Sequence, residues 1–209
     1  MEKIKEIKVK IQFIEPYMGT APLNEKIYSE FIGSKAPDAV TLAEEVEALG
    51  VDAVEAKGMT GFPRNADGDP IIWDYQVKGF FKDACGMLNR LKGKTESSKI
   101  KAFKKLIDGL VFVEPRMIKL EGWSGEIGVC QRALRAQTMQ GERVALASSE
   151  ELPVGTTAEF RILLLDESLK PAVLEWLDYG KLRGLGQWRN SGKGRFTFAA
   201  VEEDEDEAV

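Results

Sequence analysis

Residues 180–196 read GKLRGLGQWRNSGKGRF, and the way this stretch is read decides the fold. Five glycines (Gly180, Gly184, Gly186, Gly192, Gly194) and five cations (Lys181, Arg183, Arg189, Lys193, Arg195) surround a single tryptophan, Trp188. Before it lies SLKPAVLEWLDYG, whose spacing predicts a helix capped by Ser168, with Pro171 in its first turn and Leu174, Leu177 and Tyr179 facing inward. After it lies GRFTFAAV, which alternates as a strand through Phe196, Phe198 and Ala200. A plain connection needs about 4–6 residues, and this one carries about fifteen. Glycines let backbone amides approach a phosphate, and interleaved Lys and Arg neutralise it. Trp188 offers a face for stacking on a base, and Gln187 and Asn190 offer hydrogen bonds. The alternative is a long, solvated turn. A Walker phosphate loop is excluded by the order: it follows a strand and opens a helix with Lys-Ser/Thr, whereas here the order is helix, loop, strand.

Working outward, EIKVKIQFIE (6–15) places Ile7, Val9, Ile11 and Phe13 on one face of a strand. NEKIYSEFIG (24–33) and TLAEEVEALG (41–50) are predicted helices, the second opened by a Thr41/Glu44 capping box. FPRNADGDPIIW (62–73) reads as two short strands around an Asn-Ala-Asp-Gly turn, and Asp67 and Asp69 belong to that turn because the spacing of a calcium loop is missing. YQVKGFFKDACGMLNRL (75–91) repeats apolar residues at helical spacing, and a second helix is expected over 97–109. LVFVEP and MIKLEG read as strands joined at Pro115; CQRALRAQTM, ERVALASSEEL and AEFRILLLD complete the strands. This order predicts an α+β fold: an antiparallel sheet with helices on one face and an inserted helical segment. We expect one domain over 1–201 and an acidic, disordered tail over 202–209.

The 209-residue chain carries a formal charge of −5, but Glu202–Glu207 supplies six carboxylates; without them the body is +1. There is no histidine, which removes Ser-His and Cys-His nucleophilic sites and histidine-based metal centres. Cys85 and Cys130 form no disulfide or metal pattern and read as small core residues, which suits a reducing, cytoplasmic setting. No apolar run has the length of a membrane helix, and no cofactor or metal is expected.

The glycine-rich stretch, as G-x-G-x-W-x-x-x-G-x-G-R-F from Gly184 to Phe196, resembles the signature of the CRISPR-associated RAMP superfamily. IQFIEPYMGT (11–20) is similar to the first strand and following glycine of backbone-type subunits in that family. IIWDYQVKGFFKDAC (71–85) resembles a family segment that opens a helix, reduced here to Val77-Lys78-Gly79, with WDYQ in place of small residues. SSEELPVGTTAEFRILLL (148–165) resembles the lead-in to the family's penultimate strand. The resemblance implies a ferredoxin-like (RRM-like) fold, binding of guide or single-stranded RNA, and assembly with other CRISPR subunits or with copies of the chain itself.

The candidate RNA-binding residues are therefore Lys78, Lys82, Lys181, Arg183, Gly184, Gly186, Gln187, Trp188, Arg189, Asn190, Lys193 and Arg195. Lys78 and Lys82 lie one turn apart on a helix edge. Arg132, Arg135 and Arg143 form a basic stripe or else pair with Glu126, Glu142 and Glu150. Trp73, Trp123 and Trp176 are assigned to packing. No catalytic residue is assigned. A histidine-free endoribonuclease would draw on Tyr17, Tyr28, Lys78, Asp38 or Asp52, and nothing in their spacing selects one. Two further readings stay open: a mobile-element protein that mimics a RAMP subunit to block CRISPR assembly, and an interaction protein that kept the fold and lost RNA.

Overall fold

The computed structural model describes residues 4–23, 59–138 and 141–202. The predicted helices at 24–33 and 41–50, with Tyr28, Asp38 and Asp52, lie outside these residues, as do 203–209 of the acidic tail. The chain divides into two compact units. One comprises Met1–Tyr17, Arg64–Ser124 and Pro153–Val209, the other Met18–Pro63 and Gly125–Leu152.

The first unit is built on β1 (Lys5–Phe13), which has the predicted alternation: Ile7, Val9, Ile11 and Phe13 are buried, while Lys8, Lys10 and Gln12 are exposed. After the short β2 (Tyr17–Met18), β3 (Ala21–Pro22) and β4 (Thr60–Gly61), the chain re-enters this unit and turns at Asn65. The Asn65 side-chain oxygen accepts from the Asp67 and Asp69 amides at 3.0 and 2.8 Å, so NADGD is a turn, as its composition dictates. Then come β5 (Ile71–Trp73), α1 (Asp74–Leu88), α2 (Phe103–Leu110), β6 (Val111–Glu114) and β7 (Met117–Glu121). β8 (Gly128–Thr138) and β9 (Gly141–Leu152) belong to the second unit; β10 (Thr157–Leu164), α3 (Lys170–Arg183) and β11 (Phe196–Glu202) close the first.

In space the first sheet runs β11-β1-β10-β7-β5, with β6 also on β10, and its strand pairs are antiparallel. Without the short strands the order along the chain is β1, α1, β6 and β7, β10, α3, β11. The first strand thus lies between the last and the third. The apolar face of β1 and β10 packs with Val77, Phe80, Phe81, Ala84 and Cys85 of α1 and with Val173, Trp176 and Leu177 of α3 as one buried core. On the opposite face, Lys10 pairs with Glu159 at 2.6 Å and Arg161 bridges Glu6 and Glu114 at 3.2 and 3.0 Å. Cations on that face are therefore matched by carboxylates across the strands.

The second unit holds the β8–β9 hairpin, paired antiparallel from Gly128–Glu151 to Thr138–Gly141, with β4 on β9. Its register sets Arg135 beside Val144 and Arg143 beside Ala136, so the two arginines are not cross-strand partners. The Glu150 carboxylate accepts from the Phe62 amide at 2.8 Å.

Three local readings differ from the sequence expectation. The helix expected over 97–109 is broken: a single 3₁₀ turn at Ser97–Lys99 leads to extended Ile100, then to left-handed Ala102 (φ 49°), and only then to α2. The cause is Ser97, whose hydroxyl is buried between the Glu175 carboxylate (2.6 Å) and the Trp176 indole N–H (2.8 Å), which pulls this segment out of helical register. Ser168 is not a cap; Asp166 instead accepts from the Ser168 amide at 2.9 Å in a preceding 3₁₀ turn, and α3 starts at Lys170 with Pro171 in its first turn. The inward face of α3 is Ala172, Val173, Trp176, Leu177 and Gly180, while Leu174 and Tyr179 are half-buried.

Candidate nucleic-acid interface

α3 continues through Gly180 to Arg183, because the Gly180 surface is where β11 closes on the helix: a Cβ at Gly180 would sit 2.3 Å from the Phe196 ring. The loop proper is therefore 184–195. It starts at Gly184 (φ 75°) and returns at Gly194 (φ 72°), and the two ends are tied by the Leu185 amide donating to the Gly194 carbonyl at 2.8 Å. A Cβ on Gly194 would lie 1.9 Å from the Leu185 oxygen, so no other residue fits. The Gly194 amide donates to the Pro16 carbonyl at 2.9 Å and the Ile14 amide to the Arg195 carbonyl at 2.9 Å, which anchor the loop to the end of β1.

Between these anchors, Gly186 (φ 81°) and Trp188 (φ 55°) are left-handed. For a tryptophan that conformation costs energy and is held only by its surroundings. The Trp188 carbonyl accepts from both the Ser191 amide (2.9 Å) and the Ser191 hydroxyl (2.8 Å), closing a tight turn. The Trp188 side chain is half-buried, as are those of Gln187, Arg189 and Lys193; Asn190 is exposed.

The electrostatic centre of the loop is a residue that local patterning does not single out, Asp83 of α1. Its carboxylate accepts from Arg183 Nε at 2.8 Å and Arg189 Nη1 at 2.8 Å. Arg183 also reaches the Asn190 side-chain oxygen at 3.4 Å. Burial acts to raise the Asp83 pKa, but the hydrogen bond from Arg183 and the charges of Arg189 and Arg183 outweigh it and hold the carboxyl below the usual aspartate value. One carboxylate thus serves two guanidiniums, and the cluster keeps a net positive charge. Lys181, one turn before the loop, pairs with Asp178 at 2.7 Å. Arg195 Nε is buried and meets no acceptor among the described residues.

Lys78 and Lys82 lie on α1, as the sequence places them, but turn away from the loop. Successive helical residues point about 100° apart, so Lys82 and Asp83 diverge. Lys82 forms an ion pair with Asp108 of α2, and Lys78 donates to the Asp108 carbonyl at 3.2 Å while its ammonium stands 4.9 Å from the Phe112 ring centre. Burial lowers the Lys78 pKa, opposed by Asp108. The candidates are therefore not one cluster: Arg183 and Arg189 are held on Asp83, Lys181 on Asp178, and the Lys78–Lys82 pair on Asp108. Tyr17, named for a histidine-free nuclease, is fully buried and stacked on Phe13 with ring centres 4.4 Å apart, and burial pushes its pKa far up. Cys85 is buried in the core and Cys130 is half-buried. Trp176 is buried; Trp73 and Trp123 are half-buried, Trp73 lying parallel to Tyr75. Among the described residues no group of acidic or cysteine side chains is arranged to hold a metal ion, and no helix is long and apolar enough to cross a membrane.

No protein family model and no curated protein matches the chain. Solved structures do. A chain of the cryo-EM structure of the Type III-B Cmr-beta bound to cognate target RNA superposes with a TM-score of 0.53 at 12% identity, over 96% of this chain and 61% of that one. The fold is shared with that chain. A chain of a Type IV-B CRISPR complex matches at a TM-score of 0.49 and 12% identity, over 98% of this chain and 93% of that one. The present chain spans about three fifths of the Cmr-beta chain it matches.

Proposed function

We propose that this chain is an RNA-binding subunit of RAMP type, with a ferredoxin-like (RRM-like) core, that grips the backbone of guide or other single-stranded RNA within a CRISPR-type ribonucleoprotein. The observation that carries this proposal is the likeness, over 96% of the chain, to a chain from an RNA-bound Cmr-beta structure. The order β1, α1, β6 and β7, β10, α3, β11, with β1 between β11 and β10, supports the ferredoxin-like assignment. We take residues 1–201 as one RAMP-like domain and 202–209 as its acidic tail. Its partners are RNA and other CRISPR subunits or further copies of itself, in the cytoplasm, and its role is binding rather than catalysis.

In this proposal the loop 184–195 is the grip. Arg183 and Arg189 set its shape on Asp83 and lend the cluster its excess positive charge. Lys181, Lys193 and Arg195 face phosphates, Gly186 lets the backbone come close, Gly184, buried against the Lys193 carbonyl, closes the loop on itself, Trp188 stacks on a base, and Gln187 and Asn190 supply hydrogen bonds. Lys78 and Lys82 form a second, separate phosphate edge. The test is fluorescence anisotropy of a labelled 30-nucleotide single-stranded RNA titrated with the full chain. Wild type is expected to bind, more weakly as salt rises. Trp188→Ala is expected to weaken binding by roughly 5- to 150-fold, the range for one lost base stack. Unaltered affinity in Trp188→Ala and in a Lys193→Ala/Arg195→Ala double variant would remove the loop from the interface.

A further inference from the structure

The densest unmatched positive charge among the described residues lies elsewhere, in RLKGKTESSKIKAFKK (90–105). This segment holds seven cations and a single carboxylate, Glu96. Glu96 is taken by Lys99 at 2.7 Å. Arg90, Lys92, Lys94, Lys101, Lys104 and Lys105 are all exposed, and none forms an ion pair with a described residue. The nearest acid along α2, Asp108, is occupied by Lys82. Residues 90–102 form a folded connection with a single 3₁₀ turn, and Lys104 and Lys105 lie in the first turn of α2.

The segment is also held in shape. The Asn89 side-chain amide donates to the Ser97 and Ile100 carbonyls at 2.9 and 3.1 Å, and the Gly93 amide donates to the Ser98 hydroxyl at 3.2 Å. The Glu175 carboxylate of α3 accepts from the Glu96 amide (2.9 Å), the Ser97 amide (3.0 Å) and the Ser97 hydroxyl (2.6 Å). Where the segment enters α2, Phe103 packs on Gly86 of α1, at 3.2 Å from a Cβ built there. Ala102, at φ 49°, is one of two non-glycine residues in the left-handed region among those described, the other being Trp188. Both ends of the segment are therefore fixed on α1, its middle is fixed on α3, and the six cations that pair with no described residue are all exposed around this fixed frame.

We propose that this exposed rim is a further RNA contact, distinct from the loop and from the Lys78–Lys82 edge, taking the phosphate backbone of single-stranded RNA through Lys92, Lys94, Lys101 and their neighbours. The proposal rests on the RNA-binding function above. Composition favours phosphate over a protein partner. Protein interfaces are depleted in Lys and enriched in aromatic residues and Arg, whereas this rim has, to one arginine, five lysines that pair with no described residue, and no aromatic among its exposed side chains. Lysine ammoniums act as point charges for phosphate without base selection, so the rim would add affinity and not sequence preference.

The experiment is the same RNA titration, repeated from low to high salt, on the wild type, Lys92→Ala/Lys94→Ala/Lys101→Ala, the matching Lys→Arg triple, and Trp188→Ala. These side chains are exposed, so the triples should melt with the wild type. Three lost phosphate contacts should reduce the slope of log affinity against log salt by about 2, with the arginine triple retaining the wild-type slope. A wild-type slope in the alanine triple, while Trp188→Ala weakens binding, would overturn the rim and leave the loop standing. A reduced slope shared by the arginine triple would also overturn it, since charge would not be the cause. Wild-type protein that binds no RNA would overturn both.

Discussion

Replacing Asp83 tests whether the basic loop owes its shape to one carboxylate. In Asp83→Ala, Arg183 and Arg189 lose their shared acceptor at 2.8 Å each, and Arg183 loses a further contact at 3.4 Å. The Asp83, Arg183 and Arg189 side chains are 24%, 24% and 30% exposed, so this is neither a fully solvated pair nor a buried one. Exposed pairs contribute about 0.2–1 kcal/mol, and hydrogen bonds to charged groups about 1.5–3 kcal/mol. An intermediate loss of about 2 kcal/mol corresponds to a fall in Tm of roughly 4–8 °C for a chain of this size. Differential scanning calorimetry reads the melting temperature, and limited trypsin digestion reads the loop, because Arg183 and Arg189 are themselves cleavage points. The expected result is a lower Tm with faster cleavage at 183 and 189. A Tm within about 1 °C of wild type, with an unchanged digestion pattern, would refute the anchoring role of Asp83.

Gly180→Ala should destabilise the chain in urea unfolding. Overpacking against Phe196 costs about 1–3 kcal/mol, against a helix-propensity gain of about 1 kcal/mol, and shrinking the ring with Phe196→Leu should recover part of the loss. Glu175→Gln places an amide N–H₂ among the Glu96 and Ser97 donors, so the Glu96 and Ser97 amides should exchange with deuterium faster; unchanged protection there would show that the carboxylate is dispensable. In acid, the lowered Asp83 pKa gives a stabilisation that is fully present above the unfolded value of about 3.9. It is lost as pH falls through the lower folded value, and Asp83→Asn should abolish that component of the pH–stability curve in this window.

The β1 alternation, the Asn65 turn and the strand character of 157–164 were legible because each is set by neighbours in sequence. So was the α+β class, from the order of these elements. The glycine pattern at 184–194 was legible for a similar reason: Gly184 and Gly194 fall where the backbone must be left-handed. What the sequence could not show was the pairing. Asp83 precedes Arg183 by a hundred positions, and nothing near it in the chain marks it as the partner of two arginines. The break in the helix expected over 97–109 has the same origin, since Ser97 answers to Glu175 and Trp176 and not to its neighbours. Lys78 and Lys82 were correctly placed on a helix edge, but only the packing of α2 shows Asp108 beneath them.

The most direct test of RNA binding is the nucleic acid that travels with the protein. The full chain, purified from cells at low salt, would be run on a sizing column with absorbance read at 260 and 280 nm, before and after ribonuclease. An RNA-binding subunit predicts a raised 260/280 ratio in a large species that ribonuclease collapses. A plain protein ratio at the size of one chain, with no RNA taken up on later titration, would contradict the account.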